Sequence, residues 1–180
     1  AQARKMSQSV AAFHCASSDV CDYLEMDYGN HAFSMVIMLP KDGKTTRDAM
    51  AALDGQTWAK AMESLAEAYV IVKLPRFKAE CEYPMHEHIL PDMGMKLPFN
   101  PMLADLSGIA DATGLYISKV IHKTFVQVDE EGTEAAGITL VGIEKSGKSS
   151  FFMVDRPFLF VIREKSTGVI LFIGEIGEIQ

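Results

Sequence analysis

The feature that most constrains this chain is a run of nine residues, Ala135 to Ile143, that contains neither a charge nor a proline. Such a run has high strand propensity, and nothing in it prevents pairing with another strand. Natural proteins usually interrupt exposed segments of this kind with a charge or a proline. The sequence therefore predicts that this segment is meant to become a strand.

Alternation along the run supports the same interpretation. Side chains on a strand alternate between its two faces, so in an extended segment Glu134 and Glu144 share one face. The other face is uncharged and begins with the small residues Thr133, Ala135 and Gly137. We expect that face to enter a packed sheet, because small leading residues meet the least steric resistance.

Composition excludes several classes of protein. The net charge of -7 disfavours nucleic acid as a partner, because phosphate binding needs a basic surface. No apolar run approaches the length that crosses a membrane, so no membrane partner is expected. The three cysteines, Cys15, Cys21 and Cys81, cannot all pair within the chain. Free thiols are favoured over one disulfide plus one thiol.

Hydrophobic patterning predicts a single domain over 1–180 of the α+β class, mainly β. The expected strands are 11–15, 22–26, 33–39, 69–74 and 115–128, followed by a closing hairpin of 157–163 and 169–173. The expected helices are 46–53 and 57–68, with Thr57 as N-cap and with Trp58, Ala61, Met62, Leu65 and Ala68 facing the core. Four prolines restrict residues 83–102 to short helical pieces.

The segment His122–Lys123, followed by Val126–Ala136, resembles the strand-and-hinge signature of serpins. Other segments resemble serpin elements in the same order along the chain: Ser34–Pro40, Leu74–Phe77, Leu106–Ile109, Arg156–Arg163 and Ile170–Glu175. The match is to the C-terminal half of the family. The resemblance implies a serpin-like multi-sheet fold with an exposed reactive loop, present here in part.

The resemblance also implies a mechanism. Residues 138–155 would carry a bait loop that a serine protease attacks, and 157–174 would form the closing hairpin. The cut loop would then enter the central sheet as a new strand and trap the acyl-enzyme. The hinge that admits the loop would consist of Glu130, Glu131, Gly132, Thr133, Glu134, Ala135, Ala136 and Gly137. The chemistry belongs to the protease, so the chain is not expected to be an enzyme or to need a cofactor.

The bond that the protease attacks remains open between alternatives. Lys145–Ser146 is favoured, because a lysine suits the acidic primary pocket of a trypsin-like protease. Counting along the loop by family analogy favours Ser146–Gly147 instead, which suits an elastase-like protease. Lys148–Ser149 is the third alternative.

Residues Gly142–Ser149 match the phosphate-binding pattern G-x-x-x-x-G-K-S. That pattern needs a helix directly after it, whereas Phe151–Val154 is β-prone and Pro157 follows soon after. Nucleotide binding at 142–149 is therefore the disfavoured alternative function.

Two histidine-containing features have structural rather than catalytic interpretations. Cys81, His86 and His88 lack the usual pairwise spacing of a zinc site, so surface histidines are favoured and no metal is expected. His122 is interpreted as a satisfied core histidine. The resemblance would place it where the central sheet parts to admit the loop.

The missing half of the family pattern has consequences of its own. We expect this chain to need the N-terminal half or to self-associate, because sheet faces would otherwise lack neighbours. A non-inhibitory serpin-like binding fragment is the alternative function. Family habit suggests an extracellular location, and the unpaired cysteines leave the cytoplasm open.

Overall fold

The computed structural model describes residues 2–110, 114–129 and 150–179. Strands dominate the described part of the chain. They are β1 (Gln2–Ser17), β2 (Cys21–Asp27), β3 (Phe33–Pro40), β4 (Ala66–Pro84), β5 (Ile121–Val128), β6 (Ser150–Met153), β7 (Phe158–Glu164), β8 (Ile170–Ile176) and β9 (Glu178–Ile179). The helices are α1 (Thr46–Ala51), α2 (Gly55–Glu63), α3 (Ile89–Asp92) and a 3-10 turn at Leu97–Phe99.

The described strands lie in the order β5-β4-β1-β2-β3-β7-β8. Neighbours from β4 to β8 in this order pair antiparallel. Strand β6 pairs parallel with β4, and β9 pairs parallel with β1. The topology agrees with the predicted α+β class dominated by strands.

The hydrophobic core lies against β2, β3 and β7. Strands β3 and β7 are mostly apolar, and both faces of such runs can be buried, whereas β2 carries Asp22, Glu25 and Asp27 among its apolar residues. Phe158, Leu159, Phe160 and Val161 of β7 are each at most 2% exposed. Helix α2 packs on this core through Trp58, Ala61 and Met62, as its helical spacing predicted.

The described chain divides into two compact units. One comprises residues 1–79 and 127–180 and contains the core just described. The other comprises Glu80–Val126 and contains α3, the 3-10 turn and most of β5. Within this second unit, Ile117 N donates to Pro98 O at 2.8 Å, and Met85 N donates to Val120 O at 2.9 Å.

Those bonds explain one wrong prediction. The expected strand 115–128 begins only at Ile121, because backbone groups before it bond to loop residues instead of to a neighbouring strand. A second error concerns α2, whose N-cap is Asp54 and not Thr57. The Asp54 side chain accepts from the backbone N–H groups of Gln56 and Thr57, which satisfies donors that the first helical turn leaves open. Ala68 lies in β4, not in a helix.

Two expectations about composition can be compared with the structure. Cys15, Cys21 and Cys81 are all free thiols, as predicted. Burial raises the pKa of the Cys21 thiol to about 11. Among the described residues, none of the helices has both the length and the apolar character needed to cross a bilayer.

Candidate functional site

The candidate site is the connection between β5 and β6, residues 130–149. These twenty residues lie outside the described part of the chain. The predicted hinge 130–137, the favoured bond Lys145–Ser146, its alternatives, and the phosphate-binding pattern all fall within that connection. The structure defines the two ends that hold it.

At the entry end, the chain leaves β5 at Val128 and Asp129. The Gln127 Nε2 donates to Asp129 Oδ2 at 2.9 Å. Both Val128 and Asp129 line a small cavity of about 50 Å³ together with Leu74 of β4. The entry end is therefore held beside the middle of β4.

At the exit end, the chain returns through β6. Ser150 lies opposite Val70 of β4, and Met153 lies opposite Lys73. The Val154 N–H then donates to Lys73 O at 2.9 Å, and the Val154 side chain is fully buried. Beyond it, Arg156 Nε donates to Pro40 O at 2.7 Å, which fixes the path into β7.

Both ends of the connection thus lie beside one stretch of β4, because the exit end pairs with Val70–Lys73 and the entry end lines a cavity with Leu74. Twenty residues could span at most about 70 Å if extended, so this connection has far more chain than it needs to return to its starting point. Loops of more than about 15 residues are uncommon without a function. The arrangement can present a long segment to a partner from a fixed base.

Strand β5 stands at one end of the strand order, so within the described residues it has a strand neighbour on one side only. In the second unit, its Lys123 Nζ lies 2.8 Å from Glu82 Oε2 of β4. This hydrogen bond lowers the pKa of Glu82 and raises that of Lys123. His122 is exposed, so its prediction as a core histidine is wrong for this chain. Its role at a sheet opening stays a prediction.

A buried charge network, which the sequence did not indicate, joins β2, β3 and β7. Glu25 is 4% exposed, and its Oε1 accepts from Arg163 Nη2 at 2.6 Å and from Ser34 Oγ at 2.7 Å. Lys165 Nζ donates to Asp27 Oδ1 at 2.6 Å. Burial alone would raise the pKa of Asp27, but hydrogen bonds from Lys165 and His31 outweigh it and lower that pKa. The network locks β7, which follows the loop, into the sheet.

The structure also bears on the two ligand-binding alternatives. The residues directly after Ser149 form strand β6 and not the helix that a phosphate-binding loop requires. Of Cys81, His86 and His88, only His86 is partly buried, and its Nδ1 lies 3.1 Å from Val120 O and 3.3 Å from Val120 N. The described residues contain no group of three or more His, Cys, Asp or Glu side chains that could hold a metal.

Comparison with known proteins agrees with this geometry. The model of the family described as serpin (serine protease inhibitor) matches residues 2–179. The chain is 35% identical over 177 residues to intracellular coagulation inhibitor 1 of Tachypleus tridentatus, which covers 97% of this chain and 42% of that relative. It is 40% identical over 172 residues to leukocyte elastase inhibitor of Homo sapiens, covering 87% of this chain and 43% of the relative.

Solved structures give the same result. The crystal structure of uncleaved ovalbumin superposes with a TM-score of 0.86 at 28% identity, over 96% of this chain and 47% of ovalbumin. Native protease nexin-1 with heparin superposes with a TM-score of 0.83 at 29% identity, over 97% of this chain and 47% of the other. This chain therefore spans less than half the length of the relatives it matches. It belongs to the serpin family.

Proposed function

We propose that this chain is the loop-bearing half of a serpin-type suicide-substrate inhibitor of serine endopeptidases. Residues 138–155 carry the bait loop, and Glu130–Gly137 is the hinge through which the cut loop enters the sheet. The chain supplies a substrate and a strand, and the bond-breaking chemistry is that of the protease. The chain itself is neither a catalyst nor dependent on a cofactor.

One observation carries the proposal: a twenty-residue connection begins and ends beside the same strand, since the residues before it line a small cavity with Leu74 and the residues after it pair with Val70–Lys73 of β4. An uncharged run inside that connection has the alternation of a strand, and β5 stands at the end of the described strand order. A segment able to pair and an edge able to receive it are the two elements that loop insertion requires.

The favoured attacked bond is Lys145–Ser146, which a trypsin-like protease would select, with Ser146–Gly147 and an elastase-like protease as the alternative. The relatives support an inhibitor of serine proteases in general, since one is a leukocyte elastase inhibitor and another a coagulation inhibitor. The choice between the two bonds rests on the sequence of the loop.

Insertion also needs sheet strands that this chain does not carry, since it spans less than half of its relatives. Within the described residues, β8 exposes Ile170, Leu171, Phe172 and Ile173 by 39–48%. Side chains of this size normally face a partner. We propose that an N-terminal half covers them in the active inhibitor, and that the chain alone self-associates.

A cell-internal location is the better-supported one. The three cysteines are free, and disulfides are the usual state of secreted proteins. A relative carries the name intracellular coagulation inhibitor 1. The expectation of secretion rested on family habit alone and has no support among these features.

The test is incubation with trypsin and with an elastase, with and without a supplied N-terminal half, followed by denaturing gels and intact mass. A band at the summed mass that survives denaturation would support the inhibitor. Lys145→Ala should abolish the trypsin complex, whereas Lys148→Ala should leave it in place. Loop cleavage without a covalent complex in the presence of both halves would favour the second candidate, a non-inhibitory binding fragment. No cleavage anywhere in 138–155 would refute a bait loop.

A further inference from the structure

The outer face of β4 and β6 carries exposed apolar side chains. On the inner face, Val72 and Phe152 are buried at 2% and 8% exposure. On the outer face, Tyr69 is 79% exposed and Phe151 is 62% exposed. Within the described residues, one face of β4 and β6 is therefore buried, and the aromatic rings on the other face are exposed to solvent.

Register makes these outer side chains neighbours. Ile71 of β4 lies directly opposite Phe151 of β6, and the next outward pair is Lys73 with Met153. Tyr69 precedes Ile71 by two positions and so shares its face. We call Tyr69, Ile71, Phe151 and Met153 the outer patch. Ala12 of β1 lies opposite Tyr69, so a small residue borders the patch and leaves the tyrosine ring accessible.

Single exposed apolar residues are normal on a protein surface and need no explanation. The outer patch differs because its members come from two segments more than 75 residues apart and are brought together by strand pairing. Aromatic side chains grouped in this way are typical of protein interaction sites. We therefore expect another molecule to bind the outer patch.

The length of chain between the patch and the proposed scissile bond indicates that occupant. Phe151 lies five positions after Ser146, so the two residues are at most about 18 Å apart. A protease domain of roughly 200 residues has a radius of gyration of about 16 Å. A protease bound at any of the candidate bonds therefore lies within contact distance of β6.

We infer, on the basis of the proposed function, that the outer patch is a second contact surface for the target protease. It lies apart from the attacked bond and joins Tyr69 and Ile71 of β4 to the far end of the bait loop. Its partner is an apolar area on the protease beside the active-site cleft, with Lys73 at the margin of the patch available to an acidic group. Contacts of this kind raise the rate of attack on the loop, because they hold the protease over the bond.

Tyr69 makes the inference testable, since it is remote from the loop in sequence and absent from any loop peptide. The experiment measures kcat/KM for cleavage within 138–155 by trypsin and by an elastase, using the whole chain and a synthetic 138–155 peptide. We expect Tyr69→Ser to lower kcat/KM on the whole chain by about five- to thirtyfold, the loss typical of a central interface residue. Tyr69→Phe should retain the rate, because it keeps the apolar ring.

Two controls accompany these variants. Met102→Ser removes a side chain that is 88% exposed in the second unit, and it should leave kcat/KM unchanged. Circular dichroism should show the same spectrum for all variants, because Tyr69 is exposed. Phe151→Ser should slow cleavage of the whole chain more than it slows cleavage of the peptide.

The possible results separate this inference from the proposed function. If both proteases cut the loop of the Tyr69→Ser chain at the unmodified rate, the second contact surface is refuted and the bait loop stands. If neither protease cuts the unmodified loop, the second contact surface and the proposed bait loop are both refuted. If Tyr69→Ser changes the oligomeric state or weakens binding of an N-terminal half while the cleavage rate is unchanged, another protein chain occupies the patch and the inference is wrong.

Discussion

Replacing Gly174 with alanine should destabilise the chain, because β8 has no room for a side chain at this position. Gly174 lies opposite Phe160 of β7 in the β7–β8 register. A Cβ at Gly174 would meet Cε1 and Cζ of the Phe160 ring at 2.5 Å each. The ring is 2% exposed and packs against Phe77, with the ring centroids 5.2 Å apart. The ring therefore has little space into which it can move.

The magnitude follows from that geometry. Restoring ordinary contact requires a shift of about 1 Å in a packed ring or in β8, and overpacking of this kind costs about 1–3 kcal/mol. We expect Gly174→Ala to lie in the upper half of that range, because Phe77 packs against the ring and is itself held by an edge contact with Phe158. Urea unfolding monitored by the fluorescence of Trp58, the single tryptophan, gives the change in midpoint.

Two comparisons decide whether the reasoning holds. Gly177→Ala is the matched control, since a Cβ there would have nothing within 4 Å and its effect should stay within about 0.5 kcal/mol. Phe160→Leu removes the clashing ring atoms. The double variant with Gly174→Ala should therefore be less destabilised than the sum of the two single variants. Equal midpoints for Gly174→Ala and Gly177→Ala would refute the argument.

Three further predictions follow from other sites. In the protein assembled with its N-terminal half, Thr133→Arg should turn the inhibitor into a substrate, because a charged side chain would have to enter the sheet. Stable protease complexes at an unchanged stoichiometry would contradict this prediction. Arg163→Met should cost about 3–5 kcal/mol in urea unfolding, because it leaves Glu25 buried without its main partner, and Glu25→Leu in the same chain should recover most of that loss. Asp27 has a lowered pKa in the folded chain. The stability that its carboxylate contributes to the fold is therefore fully present above the unfolded pKa of about 4, and it is lost as the pH falls through the folded pKa. Asp27→Asn should accordingly flatten the fall in unfolding midpoint between about pH 5 and pH 2, and an unchanged slope would count against the hydrogen bond from Lys165.

The elements that sequence patterning predicted best are those with a long apolar run in their own sequence. Strands β3, β7 and β8 are continuous apolar runs, and their bounds agree with the expected ones within a few residues. Strands β1 and β2 are longer than expected, because pairing with neighbours extends β1 through the polar segment before Val10. The expected strand is shortened at Leu115–Val120, because backbone groups of this apolar segment bond to loop residues and not to a neighbouring strand.

The candidate site likewise has features that the local sequence predicts and features that depend on distant residues. The composition of the hinge and loop could be recognised along the chain, because small and uncharged residues follow one another there. The position of both loop ends beside residues 70–74 of β4 could not, because it depends on contacts between segments far apart in sequence. The pair Glu25 and Arg163 is separated by 138 positions, and neither residue has a neighbour in sequence that would indicate the other.

The position of β7 determines what remains after the bait loop is cut. All of β6 to β9 lies beyond the proposed bond, and β7 is inserted between β3 and β8 with an almost fully buried core segment. A nicked chain should therefore remain one particle of two polypeptides, separable by denaturant but not by dilution. Cleavage then changes the connectivity of the molecule while leaving its sheet assembled, and the freed end of the loop can move without releasing the C-terminal fragment.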